Sequence, residues 1–327
     1  MKLFNQKGFT IVELMVSLVL GLIISAAAIQ LFYTGQKSAM IQQGSSNLLN
    51  SGYFGLDYML NDLRLANLDA NEALVDNQVL HGGLVLDRRN ISTSPTFQMT
   101  SANAGNNYLT VANIGPTNLN IANVGSDQLV VQYRNTIANR FDCEGNAIPV
   151  NSYIVQRYFV RPVVSPEENS DPNEPNQALA LACVAANYNA DNLNSLNLSG
   201  NGRIVIPRVD HFHVLLGVAD DTQNTSVTPV AAGQDGVLDR FAYMTIAGYQ
   251  QLNPVAPARK PQIVAIKIAV LVRSPNSVGS SDLFNPARNY QLFNVSGPLI
   301  AHANNNLYLR NVLSQTVALR NGFGLEK

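Results

Sequence analysis

From Phe9 to about Phe32 the chain is an almost unbroken apolar run, opening Phe9-Thr-Ile-Val-Glu13-Leu-Met-Val-Ser-Leu-Val-Leu and carrying one charge, Glu13. A helix rises about 1.5 Å per residue, so roughly twenty such residues match the hydrocarbon thickness of a bilayer, about 30 Å. The run is therefore long enough to span. A carboxylate inside a spanning helix costs about 2.5 to 3.5 kcal/mol on insertion scales, so Glu13 calls for a partner, and the run itself contains no cation. Ahead of it stands a short basic leader, Met1-Lys-Leu-Phe-Asn-Gln-Lys-Gly8.

A cut between Gly8 and Phe9 supplies the missing partner. It creates an α-amine four residues from Glu13, about one helical turn away, and in a bundle of parallel helices shifted along their axes that amine can meet a neighbour's Glu13. An ordinary secretory signal, cut near Ser25-Ala26-Ala27-Ala28, and a plain membrane anchor both leave Glu13 and the Gly-Phe junction unexplained. The stretch Gly8-Phe9-Thr10-Ile11-Val12-Glu13-Leu14 resembles the class III signal of type IV pilins and type II secretion pseudopilins. The resemblance implies that prepilin peptidase cuts after Gly8 and N-methylates Phe9, and that Glu13 is the assembly glutamate. It also implies an inner-membrane protein whose globular part lies in the periplasm and, after assembly, on the cell surface.

Beyond residue 32 about 295 residues remain, enough for a sizeable core. The net charge of −1, a charged fraction of 13% and the lack of a Lys/Arg cluster argue against a grip on nucleic acid. Leu49, Tyr53, Leu56, Leu60 and Leu63 recur at helical spacing, which predicts that the helix continues past the membrane and packs one face on a partner. Gly35, Gly44, Gly52 and Gly55 read as weak points in it.

After Asn71 short apolar segments alternate with Gly, Pro and Asn, predicting strands at 79–86, 127–133, 153–160, 178–186, 204–216 and 263–273. The last has strict alternation, with Ile266, Ile268, Val270 and Val272 on one face. Asn-rich stretches at 101–107 and 187–202 read as loops. The expected fold class is α+β: a long N-terminal helix, half transmembrane and half amphipathic, packed on an antiparallel sheet-rich domain. Its divisions are a leader 1–8, a helix 9–68 with the span at about 9–32, and a globular domain 69–327.

Further along, Val209 to Val218, Asp235 to Phe241, Ile263 to Ser274, the tail Leu309 to Asn321 and the Asp142-Cys143-Glu144-Gly145 context resemble PilW-type minor pilins. The resemblance implies a structural and priming component of the type IV pilus, acting in twitching motility and adhesion, with other minor pilins and the major pilin as partners. A type II secretion pseudopilin is the alternative, because the signal alone does not separate the two. The paired cysteines and the tail favour the pilus.

Cys143 and Cys183 are the only cysteines. In a domain outside the cytoplasm they read as one disulfide closing a loop of about 40 residues. Asp220, Asp221, Asp235 and Asp239 could offer oxygen ligands to calcium, but their spacing matches no EF-hand and a longer insertion parts them than in the family. His211 and His213 share a strand face without a third ligand, while His81 and His302 stand alone. No catalytic motif is present, so neither enzyme activity nor a cofactor or metal is expected.

Overall fold

The computed structural model describes residues 8–94, 108–163, 178–189, 193, 196–221, 238, 240–253, 259–277, 288–300 and 308–322. Helix α1 runs Ile11–Leu65, 55 residues. The chain then forms β1 (Val111–Gly115), β2 (Ser126–Arg134), β3 (Arg140–Phe141), β4 (Ala147–Ile148), β5 (Tyr153–Pro162), β6 (Leu179–Tyr188), β7 (Arg203–Ile206) and β8 (Val209–Asp220). These are followed by β9 (Arg240–Thr245), α2 (Ile246–Gln251), β10 (Gln262–Arg273), β11 (Tyr290–Leu292), β12 (Val295–Gly297) and β13 (Arg310–Ala318). Among the described residues two large antiparallel sheets result, five-stranded in the order β1-β2-β5-β6-β7 and four-stranded in the order β13-β10-β8-β9, beside the two-stranded β3-β4 and β11-β12. The fold is α+β, a long apolar N-terminal helix followed by an antiparallel sheet-rich domain.

The C-terminal half of α1 lies across both sheets, touching β13 and β10 of one and β7 and β2 of the other. Leu48, Leu56, Met59, Leu60 and Leu63 of the helix share one continuous core with Val131, Leu181, Ile206, Phe212, Ile268 and Leu313 of the sheets.

Leu56, Leu60 and Leu63 of the expected stripe are buried, while at its N-terminal end the buried face shifts to Leu48 and Gly52. Tyr53 is 49% exposed and Leu49 only half-buried, while Gly52 and Gly55 are buried. The glycines are points of close approach rather than weak points. A Cβ at Gly52 would lie 2.3 Å from Leu313 Cδ1, and one at Gly55 would lie 2.3 Å from Ile206 Cγ1 and 2.6 Å from the Val205 carbonyl oxygen. Backbone cannot retreat as a side chain can, so the helix reaches β7 only because residue 55 has no side chain.

Two expected strands change form. Residues 79–86 make no strand; His81 has φ 60°, and a lone bridge joins Leu84 to Val131. The expected strand 204–216 is broken at Pro207-Arg208, where Arg208 has φ 55°, so β7 ends one sheet and β8 starts in the other. Proline removes a ladder donor, which is the physical reason for the break. Strand β10 is covered on both faces, because Ala269 and Leu271 pack with Leu119, Leu292, Val295 and Leu299 around the β11–β12 hairpin.

The helix end and the tail are tied through Asn67, which has φ 67°. Its side-chain nitrogen donates to the carbonyls of Glu72 (3.0 Å) and Asn321 (2.8 Å), and its Oδ1 accepts the Gly83 N–H (2.8 Å). Asn321 in turn donates to the carbonyls of Arg64 and Ala66, satisfying acceptors left open at the helix C-terminus.

Candidate processing and assembly site

Gly8, Phe9 and Thr10 are exposed and lie directly ahead of α1. Phe9 is 85% exposed. Thr10 is the N-cap. Its Oγ1 accepts the Glu13 N–H (3.2 Å) and donates to the Glu13 carboxylate (3.1 Å), while the Thr10 N–H donates to the same carboxylate (3.2 Å). This is a reciprocal capping box, and it places Glu13 in the first turn, where the helix dipole favours negative charge. Sequence reasoning missed Thr10, although Thr-x-x-Glu is the capping-box signature.

The side chains that follow are bare. Large apolar residues from Ile11 to Tyr33 are more than half exposed, and the apolar window of α1 buries nothing within the chain. Such a surface needs lipid or other helices around it.

Cys143 and Cys183 are joined, with Cα atoms 6.1 Å apart. Cys143 lies in the tight turn between β3 and β4, and Cys183 lies on β6. Asp142 braces that turn, its Oδ1 accepting the N–H groups of Glu144 (2.9 Å) and Asn146 (2.8 Å). Gly145 takes φ 84°, a conformation that favours glycine. The Cys143 N–H donates to Gln156 Oε1 (3.0 Å), the Ala185 N–H to the Glu144 carboxylate (2.9 Å), and the Tyr58 hydroxyl to the Asp142 carbonyl (3.3 Å). The bridge thus fixes a hairpin that connects β5 and β6 to α1.

The described histidines are packed. His81 bonds the Tyr188 hydroxyl (2.7 Å) and stacks on Tyr153 at 4.0 Å; burial, then the Arg134 charge, lowers its pKa to about 4. His211 bonds Thr117 Oγ1 (2.9 Å), and burial lowers its pKa to about 4. Among the described residues no three His, Cys, Asp or Glu side chains converge on a metal position. Asp220 ends β8 and Asp221 follows it, whereas Asp235, Asp239 and His302 lie outside the described residues.

Two family models match the chain. Residues 3–29 match the prokaryotic N-terminal methylation motif, and residues 173–321 match type IV pilus-assembly protein W. The chain joins a prepilin methylation motif to a W-family region. Its methylation motif holds the Gly8–Phe9 junction and Glu13, and the W-family region takes in β6 to β13. The pilin is anchored in the inner membrane by α1, forms part of the pilus, and carries its globular domain outside. Among solved structures it is similar to a type IV-like pilin from Thermus thermophilus, at 12% identity over 65% of this chain and 84% of that one, with a TM-score of 0.29, too distant to carry an argument. No curated protein sequence matches it.

Proposed function

We propose that this pilin is a minor, assembly-priming subunit of the type IV pilus, supporting twitching motility and adhesion, and that it has no enzymatic role. The leader is 1–8, the stalk 9–68 and the domain 69–327. Prepilin peptidase cuts after Gly8 and methylates Phe9, and the other minor pilins and the major pilin are its partners. The observation that carries the reading is the exposed Gly8–Phe9 junction ahead of a capped, unburied apolar helix, in a chain with the W-family region.

Glu13→Ala tests it in cells. The change removes a charge costing about 2.5 to 3.5 kcal/mol at the bilayer centre and less near its edge, and it loses part of a cap interaction worth about 1 kcal/mol. Membrane insertion is therefore retained, while surface pili and twitching fall to the level of the gene deletion. Secreted hydrolases stay normal. Wild-type piliation would remove Glu13 from assembly, and normal pili with exoproteins held in the periplasm would make the chain a type II secretion pseudopilin.

A further inference from the structure

Past the membrane-spanning run, α1 still presents large apolar side chains to solvent. Phe54 is 83% exposed, and Tyr58, one turn on, is 45% exposed. Both border a largely apolar cleft of about 370 Å³ between α1 and β7, lined also by Gly55, Val205, Pro207 and Cys143. The cleft is built on fixed parts. Its floor is the close approach of α1 to β7 at Gly55, and its far wall is the disulfide-bonded turn that Tyr58 fastens through the Asp142 carbonyl.

The face of α1 that opens into the cleft is continuous with the bare stalk. Leu22, Ile29, Tyr33 and Met40 are all about half exposed or more. With 3.6 residues per turn, these four, Phe54 and Tyr58 fall within about 60° around the helix axis. No charged residue interrupts the stripe.

Lipid does not cover its upper end. At about 1.5 Å per residue Phe54 stands about 33 Å above Phe32, clear of the hydrocarbon. A copy raised by one turn, as contact between its N-terminal amine and Glu13 requires, sets its Asn47, Asn50 and Ser51 near that level, and these are polar. An apolar N-terminal run like residues 9–32 is about 36 Å long, and raised by about 33 Å it lies level with residues 31–54. A helix in that position covers the stripe and the cleft together.

We propose that the cleft beside Phe54 seats apolar side chains from the N-terminal helix of another pilin subunit, raised about 33 Å away from the membrane, and that this chain is therefore not the outermost subunit of its fibre. The proposal rests on the reading of the chain as a pilus subunit. It assigns that subunit a neighbour on the side of the tip and the surface that receives it.

The test places photoreactive benzoylphenylalanine at position 54 of the full chain in piliated cells. Crosslinked peptides from sheared pili are expected to join position 54 to the apolar N-terminal helix of a pilin, residues 9–32 of this chain or the equivalent run of another. Phe54→Asp, at an exposed position, should leave the unfolding midpoint in detergent unchanged and cut surface pili to the level of the gene deletion, while Phe54→Leu retains them. Crosslinks in the fibre to lipid alone or to globular-domain residues alone, or none at all, would overturn the proposal. Wild-type piliation in Phe54→Asp beside lost piliation in Glu13→Ala would overturn the cleft contact and leave the pilus reading standing. Wild-type piliation in both would overturn both.

Discussion

Asn67→Ala is expected to destabilise the folded domain by roughly 3 to 5 kcal/mol. Three side-chain hydrogen bonds disappear, one buried and two part-buried, each worth about 1 kcal/mol, and the Gly83 N–H and Asn321 carbonyl lose their partner. Alanine must also adopt φ 67°, which costs about 1 to 2 kcal/mol more than for a residue that tolerates the left-handed region. The helix end, the 72–83 segment and the tail all depend on this one side chain. Denaturant unfolding of the full chain in detergent measures the effect; Asn67→Asp, which keeps the acceptor and loses both donors, should fall between. A loss below about 1 kcal/mol would show that the junction is held by other contacts.

Replacing Cys143 and Cys183 together by Ser should cost about 2 to 5 kcal/mol, since releasing a loop of about 40 residues restores chain entropy worth about 4 kcal/mol to the unfolded state. The loss should centre on the β3–β4 hairpin and its contact with Tyr58, read as faster amide exchange at 140–148. Labelling of both thiols in unreduced native protein, or an unchanged unfolding midpoint, would contradict this.

The legible parts of the fold are those written in local periodicity. Alternation through 263–273 marks β10, and the apolar run after Gly8 marks α1, because burial on one face or in lipid imposes a period on the chain itself. Pairing across distance leaves no such mark. Nothing local in 263–273 says that a hairpin further along the chain will cover its second face. Nothing near Tyr53 says that β7 will come so close to Gly55 that the buried stripe turns away from Tyr53. Pro207 is a visible break between β7 and β8, outweighed in a local reading by the apolar residues around it. At the candidate site the Gly8–Phe9 and Glu13 pattern is readable in sequence, and so is Thr10 as a cap. The cleft beside Phe54 is not, because Val205 and Cys143 come to α1 only through the folding of separate elements.

The central claim, that the chain is a prepilin matured at Gly8, is tested most directly by mass spectrometry of the N-terminal peptide from membranes and from sheared pili. The mature chain should begin with N-methyl-Phe9. An N-terminus still carrying the leader in assembled fibres, or one starting near Ile29, would contradict it.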